Sequence, residues 1–166
     1  MSYRTAITRR GLSAPMKILK SRGLIRGDVL DYGSGKGQDA DLLGIDKYDP
    51  YAKLIRNPNT GKFDFTHDRW PDRHYDVITC IYVLNVISDE KEIADTIDKI
   101  QSLLKDDGVT YISVRRDIKQ EGYNSRTFQS TVYIQGDVEE IYEKSSFIIY
   151  KMNKHSDVIV TRPILR

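Results

Sequence analysis

The sequence predicts an α/β fold: a doubly wound, mostly parallel sheet with an antiparallel finish. Three observations predict it. Apolar, β-branched runs alternate with helix-like segments as far as Val114, a glycine-rich turn directly follows the first of those runs, and only short β-like runs separated by polar turns come after Ser130.

The elements follow in order. "SAPMKILKSRGL" reads as a short helix with Ser13 as its cap, Pro15 in the first turn and Gly23 at its end. "DVLDYG" is a buried strand and "LLGID" a short second one. "YDVITCIYVLNVI" is long, apolar and β-branched, as a central strand covered on both faces requires. Ser88 and Asp89 then open a helix whose Ile93, Ile97, Ile100 and Leu104 fall on one stripe, with Gly108 as its stop. "VTYISV" is the next strand, and "STVYI", "SFIIYKMN" and "DVIVT" form the antiparallel finish. No internal repeat, low-complexity segment or linker interrupts the chain, so its 166 residues are expected to form a single domain.

Composition narrows the function classes. With 39% hydrophobic and 30% charged residues the chain is neither disordered nor fibrous in type. It has no apolar run near the roughly 18 residues of a membrane span and no apolar core of a signal peptide, so a cytoplasmic location without membrane contact is expected. Cys80 is the only cysteine and is expected to be a buried small hydrophobe. His67, His74 and His155 are too scattered to suggest a metal site, and none is assigned.

The net charge of +2 hides an asymmetry. Arg4, Arg9, Arg10, Lys17, Lys20, Arg22 and Arg26 all precede the first acid, Asp28. Taking those seven from the 26 basic residues leaves 19 against 24 acidic ones. A basic head of this kind is suited to polyanions, so nucleic acid is a possible partner and a solvated surface the alternative.

"VLDYGSGKG", Val29 to Gly37, concentrates the chemistry. A phosphate-binding P-loop fails, because Leu30 stands where its first glycine belongs and Gly37 where its Ser or Thr belongs. A dinucleotide fingerprint fails too: Gly33 and Gly35 fit, but Gln38 replaces the third glycine, and Asp31 would repel a pyrophosphate. An acid there is favourable when the ligand is cationic. S-adenosylmethionine carries an ammonium and a sulfonium, and bare glycines let the backbone approach its amino-acid and ribose parts.

The stretch resembles the first motif of the class I S-adenosylmethionine-dependent methyltransferases, an acid followed by G-x-G-x-G, at every position. The resemblance runs from about residue 24 to residue 114. It implies a Rossmann-like fold with S-adenosylmethionine held by Asp31, Gly33, Ser34, Gly35 and Gly37. It also implies that Asp46 of "GIDKYDP" binds the ribose hydroxyls, that Lys47 or Tyr48 lies against the adenine, and that Asp68 of "FTHDRWP" reads the adenine amine under Trp70. Only 15 residues separate Asp31 from Asp46, so the first helix is shortened, to "QDADLL" alone, with "KYDPYAKLIRNP" available to close the pocket.

A narrower resemblance, to methyltransferases encoded beside DNA phosphorothioation systems, rests on "TAITRRGLSAP", "GIDKYDP", "YVLNVI" and "YISVRRDI". It implies a nucleic-acid acceptor, DNA before others, although the chain has no separate target-recognition segment. The implied chemistry is in-line displacement at the sulfonium methyl, catalysed by positioning. "YVLNVI" is not the signature of amino-directed base methyltransferases; Asn85 is the candidate to accept a hydrogen bond from the acceptor and Tyr82 to wall the pocket. Arg115, Arg116, Tyr123 and Arg126 combine cations with an aromatic face, as stacking and phosphate contact need. The expected layout is residues 1–26 as basic segment and helix, 27–114 as cofactor-binding core, and 115–166 as substrate-side loop and terminal strands. A small-molecule or protein acceptor, or binding without transfer, is the alternative.

Overall fold

The computed structural model describes residues 11–51, 66–124 and 127–163. Arg4, Arg9, Arg10, Arg126 and most of "KYDPYAKLIRNP" lie outside them.

Among the described residues three α-helices and ten strands follow in chain order: α1 Ala14–Ser21, β1 Val29–Tyr32, α2 Gln38–Leu43, β2 Asp46–Tyr48, β3 Tyr75–Ile81, α3 Glu90–Ser102, β4 Leu104–Arg115, β5 Gly122–Asn124, β6 Thr127–Gln129, β7 Tyr133–Gly136, β8 Val138–Glu143, β9 Phe147–Asn153 and β10 Val158–Thr161. Six strands make the main sheet in the order β2-β1-β3-β4-β9-β8. Strands β2, β1, β3 and β4 are parallel, and β9 and β8 join antiparallel. From β1 the chain goes to β2 on one side and then crosses to β3 on the other. That reversal opens a crevice at the carboxyl ends of β1 and β3, where ligands of open α/β sheets bind.

Strand alternation divides the core between two faces. Val29, Val77, Tyr111, Phe147 and Ile149 pack with Met16 and Leu19 of α1. Leu30, Ile78, Cys80, Ile112, Ile148 and Tyr150 pack with Ile93, Ile97 and Ile100 of α3. Cys80 is fully buried, as its apolar neighbours in sequence suggest.

Several local expectations change. Ser13 gives α1 no side-chain cap. Its N–H and hydroxyl instead donate to the Asp39 carboxylate, at 2.8 and 2.6 Å, tying α1 to α2. Gly23 does end α1: it has φ 68°, its N–H reaches the Lys20 carbonyl, and Leu24 N–H reaches the Leu19 carbonyl. The two leucines of "LLGID" belong to α2, which is "QDADLL" alone, and β2 starts only at Asp46. α3 ends at Ser102, and Leu104 begins β4 while still serving the same core. Gly108 therefore lies within a strand, at the register break between Tyr75 and Val77 of the partner strand; a Cβ there would stand 2.8 Å from the Tyr75 carbonyl oxygen. The apolar run from Tyr75 is a strand only to Ile81 and continues as a 3-10 turn, Leu84–Val86.

Candidate active site

The glycine turn leaves β1 at the carboxyl end of the sheet. Gly33 and Ser34 donate their N–H groups to the Tyr48 carbonyl, at 2.8 and 3.0 Å, and Gly37 N–H closes on the Ser34 carbonyl at 2.9 Å. Gly33 has φ 74°, and a Cβ there would stand 2.4 Å from a methyl carbon of Val83. Only glycine lets the turn lie that close to the residues after β3. Gly37 lies against the Lys47 side chain, whose Nζ pairs with Asp41 at 3.0 Å.

Asp31 is 4% exposed and accepts a hydrogen bond from the Thr79 hydroxyl at 2.9 Å. The two residues are register partners on adjacent strands and face the α1 side, so both reach the crevice from one layer. The Ser34 hydroxyl is buried with no hydrogen-bond partner among the described residues.

Asp46 lies away from the glycine turn, and Asp49, which the sequence reading did not single out, lies beside it. Asp46 is level with Leu30 and exposed; its carboxylate takes the Tyr75 hydroxyl at 2.8 Å and Arg73 at 3.7 Å, both towards the amino end of the sheet. Three residues on, about 10 Å along a strand, Asp49 is 5% exposed and stands beside the turn. Its carboxylate accepts the N–H groups of Gly35 and Tyr51, both at 2.8 Å. Burial raises its pKa above the ordinary carboxylate value, against the lowering effect of those two N–H groups and of His67. The register of β2 against β1 decides which acid lies beside the turn, and a sequence motif does not carry register. "YDP", an acid just before a proline at a strand end, was the available signal. His67, 3% exposed, donates from Nε2 to the Gly35 carbonyl at 3.1 Å, and nothing in the sequence singled it out.

Asp68 ends the 3-10 turn Thr66–Asp68 and is half-buried. Tyr48 is buried, with Tyr32 on one side at 5.2 Å and the edge of Trp70 on the other at 5.3 Å, so it is part of the packing under the turn.

Past β3, Tyr82 has φ 59°, the one positive φ among the described non-glycine residues. Aromatic residues rarely hold that conformation, and strain of this kind costs on the order of 1–3 kcal/mol and concentrates at functional sites. Its N–H is held by the Ser113 carbonyl at 2.9 Å, and its ring carries the Arg115 guanidinium at 5.6 Å. Asn85 is fully buried: Nδ2 donates to Gln129 at 2.8 Å, the backbone carbonyl accepts Ser130 N–H at 2.8 Å, and Oδ1 has no partner among the described residues. These bonds dock the β5–β6 hairpin on the carboxyl end of β3. Tyr123, 65% exposed, projects from that hairpin and packs on Phe128.

The predicted basic rim is partly committed elsewhere. Arg116 donates to the Val132 carbonyl and the Tyr150 hydroxyl, both at 2.7 Å, and lies over the Tyr133 ring, so it braces the fold. Arg115 pairs with Asp117 at 2.9 Å. The structure thus gathers Asp31, Gly33, Ser34, Gly35, Gly37 and Lys47 at one end of the sheet, with Tyr82, Asn85 and Arg115 at the neighbouring strand ends, and leaves Asp46 away.

Residues 6–139 match the family model described as a methyltransferase domain. The chain belongs to that family. It is an S-adenosylmethionine-dependent methyltransferase with the Rossmann-like fold expected of one. Solved methyltransferases share the architecture of this methyltransferase at low identity. A complex of DhpI with SAM and HEP has a TM-score of 0.55 at 18% identity, covering 83% of this chain and 84% of its own. The N-methyltransferase NodS from Bradyrhizobium japonicum, with S-adenosyl-L-homocysteine, has a TM-score of 0.54 at 12% identity, covering 84% and 83%. A possible histamine N-methyltransferase from Thermotoga maritima has a TM-score of 0.54 at 13% identity, covering 84% and 87%. No curated protein matches the sequence.

Proposed function

We propose that this methyltransferase acts on nucleic acid, DNA before others, at the rim formed by Tyr82, Arg115 and Tyr123. The observation that carries the reading is the strained Tyr82 with the Arg115 guanidinium over its ring, at the strand ends next to the glycine turn. An aromatic face beside a cation suits a stacked base and its phosphate. The seven cations before Asp28 add attraction for a polyanion, and the narrower sequence resemblance agrees with such an acceptor.

The residues of the turn fit the cofactor that the family implies. Gly33 lets the turn pack directly on Val83, the buried Ser34 hydroxyl has no hydrogen-bond partner among the described residues, and Asp31 supplies negative charge for the cationic amino-acid end. Asp49, in place of Asp46, is the acid beside the turn for the ribose hydroxyls; each carboxylate oxygen has one N–H bond and a second lone pair. Lys47 flanks Gly37 on the same side, and Asp68 with Trp70 is assigned to the adenine. The cofactor supplies a methyl group on a sulfonium, which needs no strong base. The chain's task is to exclude water and to hold the acceptor in line, with Tyr82 as wall; Asn85, fully buried and bonded to Gln129, docks the β5–β6 hairpin and does not face the substrate.

A small-molecule acceptor is the second reading, favoured by the internal commitment of Arg116 and the pairing of Arg115 with Asp117, which leave few cations for phosphates. Radiolabelled methyl transfer over DNA, RNA and small amines separates the two. Label in DNA supports the first; label only in small molecules replaces it with the second.

A further inference from the structure

Gly35, the middle glycine of the turn, has both of its backbone polar groups tied to residues far from it in sequence. Its N–H donates to Asp49 Oδ2 at 2.8 Å, and its carbonyl accepts from His67 Nε2 at 3.1 Å. Asp49 and His67 are joined in turn, because Asp49 N–H donates to the His67 carbonyl at 2.8 Å. The three residues close a ring of hydrogen bonds that holds the peptide units on both sides of the Gly35 Cα. Gly35 itself has φ 58°, a conformation that local sequence does not enforce in a residue so permissive, so an outside clamp is what fixes it.

We propose that His67 is a positioning residue for cofactor binding, acting through the Gly35 carbonyl and, with Asp49, setting the orientation of the Ser34–Gly35–Lys36 backbone. This rests on the reading that the glycine turn holds S-adenosylmethionine. A carbonyl oxygen only accepts, so His67 Nε2 carries a proton. Both His67 and Asp49 are more than nine-tenths buried, so the ring is shielded from competing water. Without the clamp the Gly35 φ and ψ are free to vary, and the ligand must then order them on binding.

Two experiments test it. Nitrogen-15 NMR on histidine-labelled wild-type protein is expected to show a proton on His67 Nε2; an unprotonated Nε2 overturns the proposal. Calorimetric titration with S-adenosylhomocysteine is expected to show affinity falling roughly tenfold in His67→Ala and in His67→Phe, which fills the space without a donor. His67→Gln, which keeps an N–H donor at similar reach, is expected to restore affinity to within about threefold. Wild-type affinity in folded His67→Phe sinks the proposal while leaving the cofactor reading intact. Wild-type protein that binds neither S-adenosylmethionine nor S-adenosylhomocysteine sinks the cofactor reading instead. Where His67→Ala does not fold, the Phe and Gln pair carries the comparison, and the Nε2 proton is read on wild-type protein in any case.

Discussion

The two ends of the parallel sheet treat their acids in opposite ways. At the amino end Asp28, Asp46 and Asp76 are solvent-facing and bound to cations: Asp28 to Arg73 at 2.5 Å and Lys105 at 2.9 Å, Asp76 to Lys105 at 3.1 Å, and Asp46 to Arg73 at 3.7 Å. At the carboxyl end Asp31 and Asp49 are buried and bound to a hydroxyl and to backbone N–H groups. The pKa directions follow. Asp28 is lowered, first by its hydrogen bond with Lys105 and then by that with Arg73, and Asp76 by the Asp28 N–H and then Lys105. Asp49 is raised by burial. Exposed pairs of the first kind stabilise a protein little, whereas buried carboxylates impose a desolvation cost that a binding site repays when a ligand arrives. An acid near a glycine motif in sequence is thus informative only once its end of the sheet is known.

Four substitutions probe that contrast, from the largest effect to the smallest. Asp31→Ala is expected to lower S-adenosylhomocysteine affinity by about a hundredfold or more in calorimetry, with a melting temperature close to wild type; unchanged affinity would place the cofactor elsewhere. Gly33→Ala is expected to cost about 1–3 kcal/mol in urea unfolding, because the new methyl meets Val83 at a positive φ. Adding Val83→Ala should recover the steric part and not the backbone strain. Asp46→Ala is expected to change cofactor affinity by less than about twofold and stability by less than about 1 kcal/mol. A loss matching that of Asp31→Ala would erase the distinction between the ends.

The smallest effect is on pH dependence. A lowered carboxylate pKa contributes stability that is present above the unfolded value near 3.8 and is lost as pH falls through the folded value. Asp28→Asn should therefore make the melting temperature less sensitive to acid below about pH 4. Asp49 has the opposite sign: its raised pKa means that stability decreases as pH rises above the unfolded value towards the folded one.

Much of the fold was legible because it is written in short-range patterns. The stripe of Ile93, Ile97 and Ile100, the cap at Asp89 and the terminating Gly23 each depend on neighbours within a turn or two. Strand β8 and the β5–β6 hairpin were missed, since exposed edge and hairpin strands such as "VEEIYE" carry no apolar alternation. Within the candidate site, the turn that Asp31 and the three glycines build was legible from spacing alone. His67 was not, because a single histidine in a polar stretch has no periodic or local signature, and its partner Gly35 is 32 residues away.

The sequence by itself determined the α/β class, the glycine turn after β1, the shortened helix "QDADLL" and the membership in the methyltransferase family, all of which depend on local spacing and backbone sterics. Only the tertiary structure decided which acid stands at the turn, that Arg116 braces the strands, that Tyr82 holds a strained backbone, and that His67 clamps Gly35. Those outcomes depend on register and on the burial of polar groups brought together from distant parts of the chain, where an unsatisfied hydrogen bond in a low-dielectric interior costs more than any local preference.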